Sequence, residues 1–331
     1  MTHLIDKYGR EHNYLRLSIT DKCNLNCSYC NPQKNKTWGS NKEILSYEEI
    51  LRIVKIFLSV FGFKKIRLTG GEPFVRKDIE LLIQSLAILK AENAFELCAT
   101  TNGVNIKSRL QRFKDLGLDR LNFSLDSLHK ESYASISGKD ALDDVLASID
   151  EAINIGFNPI KINVVALRSI NGSEIFDFVD FAIHRNLCIR FIEYMPFSNN
   201  GYDKNLLLPI SEIKSMISEK YCLEPATDIK SVSTNYNINK GQAQVGFISS
   251  MTNHFCKDCS RLRLSSNGIL KLCLFSKNDD DLNLLDLIRQ DYRDEEIAER
   301  IRLLVLNKRK NRDEMDEIIK LKNNKMISIG G

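Results

Sequence analysis

Nine cysteines occur in the 331 residues, and six of them fall into two tight groups. Cys23, Cys27 and Cys30 are spaced CxxxCxxC. Cys256 and Cys259 form a CxxC, and Cys273 follows after thirteen intervening residues. Each group offers three thiolates and no evident fourth ligand. A structural zinc site closes on four ligands, and a four-iron cluster ordinarily takes four cysteines. Three cysteines therefore suit a cluster with one iron left open to a substrate or cofactor. For the first group, zinc or chance clustering is the bland alternative. For the second, zinc stands level on spacing alone, because His254 lies near enough to complete a Cys3His set. Cys98, Cys188 and Cys222 stand among apolar neighbours and read as small core residues.

Other polar residues sit where they would serve such chemistry. Gly70-Gly71-Glu72-Pro73 pairs two glycines, which let a backbone approach a partner closely, although an isolated GGEP is equally an ordinary turn. Arg261 and Arg263 are two apart, on one face of a predicted strand beside Cys259. Arg16, Lys65, Arg67 and Lys161 lie on other predicted strands. An unpaired ammonium at Lys161, amid apolar residues, would be costly. Taken singly, each is a surface charge. Together they suit a polyanion, since guanidinium forks match phosphate oxygens in pairs. No GxxxxGK[ST] segment occurs, so a P-loop is excluded. The five histidines are scattered and suggest no nucleophile–base pair.

The elements that must hold these residues alternate. Short apolar strands are predicted at Tyr14–Thr20, Lys65–Thr69, Phe95–Thr100, Arg120–Leu125, Ile160–Ala166 and Cys188–Tyr194. Helices are predicted at Asp78–Ala91, Ile106–Gly117, Ala141–Ile155 and Ser173–Arg185. A further helix follows the capping box Ser46-Tyr-Glu-Glu49, with Ile50, Ile53, Val54 and Phe57 on one face. Six strand–helix units imply a parallel sheet with helices outside. The expected fold is α/β, a partial (β/α)6 TIM-like barrel over residues 1–197, with an open doubly wound sheet as the alternative. A C-terminal α+β extension, 198–331, is expected to close the barrel mouth. Its 198–255 stretch reads as loop-rich with one helix near Ser211–Lys220, followed by a hairpin around Ser265-Ser-Asn-Gly268 and a charged helical segment over 280–323. In either architecture the chemistry is expected beyond the carboxyl ends of the strands.

Composition narrows the partners. The formal net charge is +4, a small excess that suits an anionic small molecule and falls well short of a nucleic-acid binder. No run of 18 apolar residues occurs, so no membrane span is expected. The N-terminal residues lack the shape of a signal peptide. A cytoplasmic protein is the expectation.

The CxxxCxxC spacing, with Tyr29 before the last cysteine, resembles the signature of the radical S-adenosylmethionine (SAM) superfamily. That resemblance implies a cluster at Cys23, Cys27 and Cys30 whose open iron binds SAM, which is cleaved to a 5′-deoxyadenosyl radical. It also implies SAM contacts at Gly71, Ser124, Tyr29 and Met195, the last two through backbone groups. The segment from Cys259 to Cys273, with Arg261 and Arg263, is similar to the second cluster segment of the GTP 3′,8-cyclases, the A proteins of molybdenum cofactor biosynthesis. Asn13–Thr20, Arg190–Phe197 and the closing Gly330-Gly331 extend the likeness along the whole chain. This implies two [4Fe-4S] clusters, the second at Cys256, Cys259 and Cys273 with an open iron for the guanine of GTP. It implies GTP contacts at Arg16, Arg67, Thr100, Lys161, Arg261 and Arg263, and a Gly330-Gly331 tail that reaches the active site. The implied product is (8S)-3′,8-cyclo-7,8-dihydroguanosine 5′-triphosphate. An external low-potential electron donor, a hand-off to cyclic pyranopterin monophosphate synthase and a homodimer are also implied. The family usually has Met where this chain has Asn31, a position that is not a ligand. A radical SAM enzyme acting on a peptide or another small molecule, and a zinc-stabilised binding scaffold, are the competing readings.

Overall fold

The computed structural model describes residues 2–31, 43–197, 200–226, 232–253, 255–276, 281–313, 315–320 and 326–330. Pro32, the lone Trp38, His254 and Gly331 lie outside the described residues.

A short antiparallel pair, β1 (Leu4–Ile5) and β2 (Glu11–His12), precedes the main sheet. Six strands follow: β3 (Tyr14–Ser18), β4 (Lys65–Thr69), β5 (Glu96–Thr101), β6 (Arg120–Ser124), β7 (Lys161–Ala166) and β8 (Cys188–Glu193). They pair in chain order, all parallel. Each of the six predicted strands is present within a residue or two. Helices α1 (Tyr47–Lys55), α2 (Ile79–Ile88), α3 (Leu110–Asp115), α4 (Lys130–Ser137), α5 (Leu142–Asn154) and α6 (Ile175–Arg185) connect them. Ser46 caps α1 in the predicted box with Glu49, and Ile50, Ile53 and Val54 are buried. Helix α4 was not anticipated. Its apolar content is slight, and it ends on Gly138 in the left-handed region.

Alternate residues of each barrel strand face opposite ways. Leu15, Leu17, Ile66, Leu68, Leu97, Leu121, Phe123, Ile162, Ile189 and Phe191 are buried in the main apolar core. The intervening Tyr14, Arg16, Lys65, Arg67, Glu96, Arg120, Asn122, Lys161, Asn163 and Arg190 line an inner cavity. The inner face of the sheet is therefore polar, which a closed apolar core would not tolerate.

The C-terminal extension joins the same sheet. After α7 (Ile210–Lys220) come β9 (Leu223–Pro225), β10 (Thr234–Ile238) and β11 (Ala243–Ile248). Then follow β12 (Arg261–Leu264), β13 (Ile269–Lys271), β14 (Leu282–Asn283), α8 (Leu284–Arg289), α9 (Asp294–Leu306), α10 (Met315–Lys320) and α11 (Met326–Ile329). The stretch expected to be loop-rich thus holds three strands. Thr234-Asn-Tyr-Asn-Ile238 is too polar to register as a strand from its pattern. The sheet order is β14-β13-β12-β3-β4-β5-β6-β7-β8-β11-β10-β9. Both β12 against β3 and β11 against β8 are parallel, so eight adjacent strands run one way although only six strand–helix units exist. The sheet curls: Arg190 on β8 and Arg261 on β12, six strands away in sheet order, line the same cavity. That curvature selects the partial barrel over the open sheet. Among the described residues no helix is long and apolar enough to cross a membrane.

Candidate active site

The first cysteine group occupies the loop leaving the carboxyl end of β3. Two anchors hold it. On one side the backbone N–H groups of Gly71 and Glu72 donate to the carbonyls of Thr20 and Lys22, both at 2.8 Å. A Cβ on Gly71 would overlap the Lys22 carbonyl, and one on Gly70 the Thr20 carbonyl. The paired glycines are therefore needed against this loop. On the other side Asn26 and Ser28 donate from their backbones to Ser137 and Ile136 at the end of α4. A tight turn follows, with Cys30 and Asn31 N–H groups both donating to the Cys27 carbonyl.

Side chains complete this end of the barrel. Buried Glu72 accepts from the Asn102 N–H (2.6 Å), the Thr101 hydroxyl (2.9 Å) and the Phe74 N–H (3.1 Å). The Asn102 amide reaches Asn24 and, at 3.7 Å, the Cys23 sulfur. Leu25 N–H also points at that sulfur, at 3.4 Å. The Tyr29 hydroxyl donates to Asp126 at 2.6 Å, whose other oxygen accepts from Val165 N–H. Burial pushes the Asp126 carboxyl up to about 6 and Glu72 up to about 7. Burial, reinforced by the neighbouring acidic groups, pushes the Cys23 thiol up to about 11 and Cys30 up to about 12, with Cys27 also raised. Three crowded thiols of this kind favour their anionic form only beside a strong cationic centre. That chemistry and the N–H groups aimed at sulfur fit an iron–sulfur cluster.

The second group lies at the other end. Ser260 accepts from the N–H groups of Asn13 and Tyr14, so Cys259 sits beside the amino end of β3, whereas Cys23 follows its carboxyl end. Cys256 opens a single 3-10 turn and Cys273 lies just past β13. A small cavity of about 50 Å³ is lined by all three cysteines together with Arg10, Lys308, Arg309 and Arg312. Burial raises the Cys259 thiol, but the Lys308 ammonium and the Arg261 and Arg263 guanidiniums outweigh it and the net shift is downward. Burial raises Cys273. A basic cavity walled by three thiols fits an anionic thiolate-bound cluster. Among the described residues no three His, Cys, Asp or Glu side chains converge on a single metal ion. His254, the fourth ligand of the zinc alternative, lies outside the described residues.

Between the two ends runs a cavity of about 640 Å³, walled by β3 to β8, β11 and β12 and reaching the three cysteines of the second group. Ten basic residues line it, against two acidic ones, Glu96 and Asp258. Arg16, Arg67, Arg190 and Arg263 are almost wholly buried. The Arg67 Nε donates to the Tyr14 hydroxyl (2.8 Å) and its Nη1 to the Ala99 carbonyl (2.7 Å). Burial would raise the Tyr14 phenol, but Arg67, Arg16 and Arg261 bring it down to about 7. Burial and neighbouring guanidiniums push Arg261 down to about 10 and Arg263 to about 9. Such crowding of like charge in low dielectric is relieved by a bound polyanion. Among the described residues the buried Arg190 Nε and Thr100 Oγ1 have no hydrogen-bond partner.

The chain end reaches this space. The Gly330 carbonyl accepts from Arg263 Nη1 at 2.7 Å, buried. Gly330 has φ +73°, and a Cβ there would overlap the Thr69 side chain. Glycine is thus required where the tail presses on the carboxyl end of β4.

The sequence-predicted residues divide accordingly. Arg16, Arg67, Lys161, Arg261, Arg263, Met195 and the second cysteine group all line the cavity. Cys23, Cys27, Cys30, Tyr29, Gly71, Thr100 and Ser124 are not on its wall. They belong to the carboxyl-end cap, except Thr100, whose register neighbour Asn122 is on the wall. The Met195 carbonyl accepts from the Asn200 amide. The expectation that chemistry gathers only beyond the carboxyl ends is corrected: β12 enters parallel to β3 and brings Cys256 and Cys259 to the amino ends. Cys222 is exposed, not a core residue like the buried Cys98 and Cys188. Lys65 pairs with Glu96 at 2.7 Å. Sequence reasoning missed Tyr14, Arg190, Asn122, Asn163 and Arg312 on the cavity wall. A period-two reading of polar residues within apolar strands would have found the first four.

Comparisons with known proteins bear on the family and the fold. A family profile described as the Radical SAM superfamily matches residues 17–182, and one described as Molybdenum Cofactor Synthesis C matches 187–314. The mitochondrial GTP 3′,8-cyclase of Arabidopsis thaliana is 40% identical over 99% of this chain and 83% of that protein. The GTP 3′,8-cyclase of Syntrophomonas wolfei is 40% identical over 89% and 90% respectively. Molybdenum cofactor biosynthesis protein 1 of Dictyostelium discoideum is 38% identical over 99% of this chain, which spans 52% of that protein. Among solved structures, SuiB of Streptococcus suis bound to S-adenosylmethionine aligns with a TM-score of 0.61 at 16% identity, covering 96% of this chain and 75% of that one. The anSMEcpe structure with bound AdoMet gives 0.62 at 16% identity, over 92% and 84%. At that identity the likeness is one of fold.

Proposed function

From the premise that the chain belongs to the GTP 3′,8-cyclases of the radical SAM superfamily, we propose how its barrel converts GTP to (8S)-3′,8-cyclo-7,8-dihydroguanosine 5′-triphosphate in molybdenum cofactor biosynthesis. The observation that carries the assignment of residues is the basic cavity of about 640 Å³ that links the second cysteine group to the barrel interior.

Cys23, Cys27 and Cys30 hold one [4Fe-4S] cluster, and Gly71, Ser124, Tyr29 and Met195 surround SAM beside it. When bound, cluster and SAM would supply the radical chemistry needed at the ribose 3′ carbon. Cys256, Cys259 and Cys273 would hold a second [4Fe-4S] cluster, which would supply a binding site for the guanine base. Arg16, Arg67, Lys161, Arg261 and Arg263 grip the triphosphate, with Thr100 as a further contact. Their guanidiniums and ammonium neutralise the chain of phosphates and fix the nucleotide along the barrel axis. The ribose then lies between the two ends, where C3′ can bond to C8. Gly330 packs against Thr69 and Arg263 and keeps water from that region. An external low-potential donor supplies electrons, and the product passes to cyclic pyranopterin monophosphate synthase. A homodimer and a reducing, cytoplasmic compartment complete the proposal; the nine free cysteines fit the latter.

Anaerobic incubation with GTP, SAM and a strong reductant tests it. GTP-dependent formation of 5′-deoxyadenosine and of the cyclised nucleotide is expected. Arg261→Ala and Arg263→Ala are expected to lose GTP turnover while reductive SAM cleavage survives. Absence of GTP-dependent 5′-deoxyadenosine sinks the proposal. Zinc without labile sulfide, in place of about eight iron per chain, would favour the scaffold reading.

A further inference from the structure

We propose that Lys308 is a positioning residue for the second cysteine group: an Asp6–His12 pair orients its ammonium so that one N–H points at the Cys259 sulfur. The proposal rests on the reading of Cys256, Cys259 and Cys273 as an iron–sulfur site.

Lys308 is only 4% exposed. Three acceptors surround its Nζ: the Arg261 carbonyl at 2.9 Å, His12 Nδ1 at 3.4 Å and Cys259 Sγ at 3.8 Å. An ammonium has three N–H donors and no acceptor, so donors and acceptors match one for one. The proton on His12 follows from its other side. His12 is wholly buried, and its Nε2 lies 3.1 Å from Asp6 Oδ2. A carboxylate only accepts, so Nε2 carries the hydrogen and Nδ1 presents a lone pair to Lys308. Burial, and then the nearby ammonium, holds the imidazole down to about 4, in keeping with that neutral tautomer.

Asp6 is itself fixed. It accepts from Arg10 Nε at 2.6 Å and from the N–H groups of Tyr8 and Arg10. The remaining Arg10 nitrogens donate to the carbonyls of Cys256, Arg309 and Lys310. One guanidinium therefore ties the cysteine loop to the segment that carries Lys308. The arrangement joins the first twelve residues to a lysine some 300 positions later, so spacing does not reveal it. Hydrogen bonds to cluster sulfurs and local net charge set cluster potentials. A cation against Cys259 favours the reduced, more negative state and raises the potential of that centre.

The test compares the anaerobically reconstituted full chain with Lys308→Met and Lys308→Gln. Iron is counted, and the cluster signals are titrated by electron paramagnetic resonance. The signal that SAM perturbs reports the first centre; the other reports the second. Iron content is expected to hold. The second signal is expected to become harder to reduce by about tenfold in equilibrium, ~59 mV for one electron, with the SAM-sensitive signal unmoved. Lys308→Gln keeps N–H donors for the Arg261 carbonyl and covers a folding failure of Lys308→Met. A second cluster whose potential is unmoved in both variants overturns the proposal. So does an equal shift of both signals, or a collapse of both variants, which would assign Lys308 to the fold. A parent protein with about four iron and no SAM-insensitive signal overturns the underlying cluster reading instead.

Discussion

Asp126 and Arg263 are each buried for a task, and they differ in what burial does to them. Asp126 accepts from Tyr29 and Val165, yet burial holds its carboxyl up to about 6 against an ordinary 3.8. A carboxyl raised on folding stabilises the fold most below pH 3.8 and loses that contribution as pH rises through about 6. Asp126→Asn keeps an acceptor for Val165 N–H and offers Tyr29 an N–H donor. The variant is expected to melt higher than the parent at pH 8, by about 1–3 kcal/mol of stability, with the difference closing towards pH 4. Thermal melts across that range check this, and a pH-independent difference counts against it. Arg263 instead faces other guanidiniums and the tail carbonyl, so its burial is useful only with an anion at hand.

At the scale of elements, the first cysteine loop owes its shape to its neighbours. The β4 exit brings Gly70 and Gly71 against Thr20 and Lys22, and α4 offers the carbonyls of Ile136 and Ser137. A methyl at Gly71 has no room, so the loop must shift. Gly71→Ala is expected to lose the first cluster selectively, to about four iron per chain, while Cys256, Cys259 and Cys273 keep theirs. Iron and sulfide analysis with a SAM-binding titration checks it; unchanged iron and SAM affinity would refute the anchoring role. The GGEP motif was legible in the sequence, but its partner was not. The glycines read as a place for ligand approach, whereas their crowding is against the protein's own backbone. Helix α4 was illegible for a different reason: with only Tyr133 and Ile136 as its large buried side chains, it lacks a full apolar stripe.

Over the whole molecule, one curled sheet separates two cysteine groups to opposite ends and leaves a basic channel between them. The C-terminal chain joins both edges of that sheet and brings Gly330 to the interior. Gly330 there adopts a conformation that side chains disfavour, against Thr69 and under Arg263. Gly330→Ala is expected to displace the tail, with turnover falling at least about tenfold, a loss of about 1.4 kcal/mol in barrier terms. Iron content and SAM affinity should stay at parent values. A variant with full turnover would show that the tail contact is incidental.

The sequence alone determined the strand–helix alternation, both cysteine groups and most of the cations. These are local signals: residue type, spacing and the period of apolar residues decide them. It pointed to the chemistry through the resemblance of the CxxxCxxC loop and the Cys259–Cys273 segment to known family signatures. Tertiary structure alone decided which end of the barrel each group occupies, because that depends on β12 pairing parallel to β3 across more than 240 residues of chain. It also decided which polar residues face inward together. Arg190 and Tyr14 are ordinary strand residues until the curl of the sheet turns them towards the same cavity as Arg261. The contact of Lys308 with Cys259 is of the same kind. Its partners come from the two ends of the chain, and only folding sets them side by side.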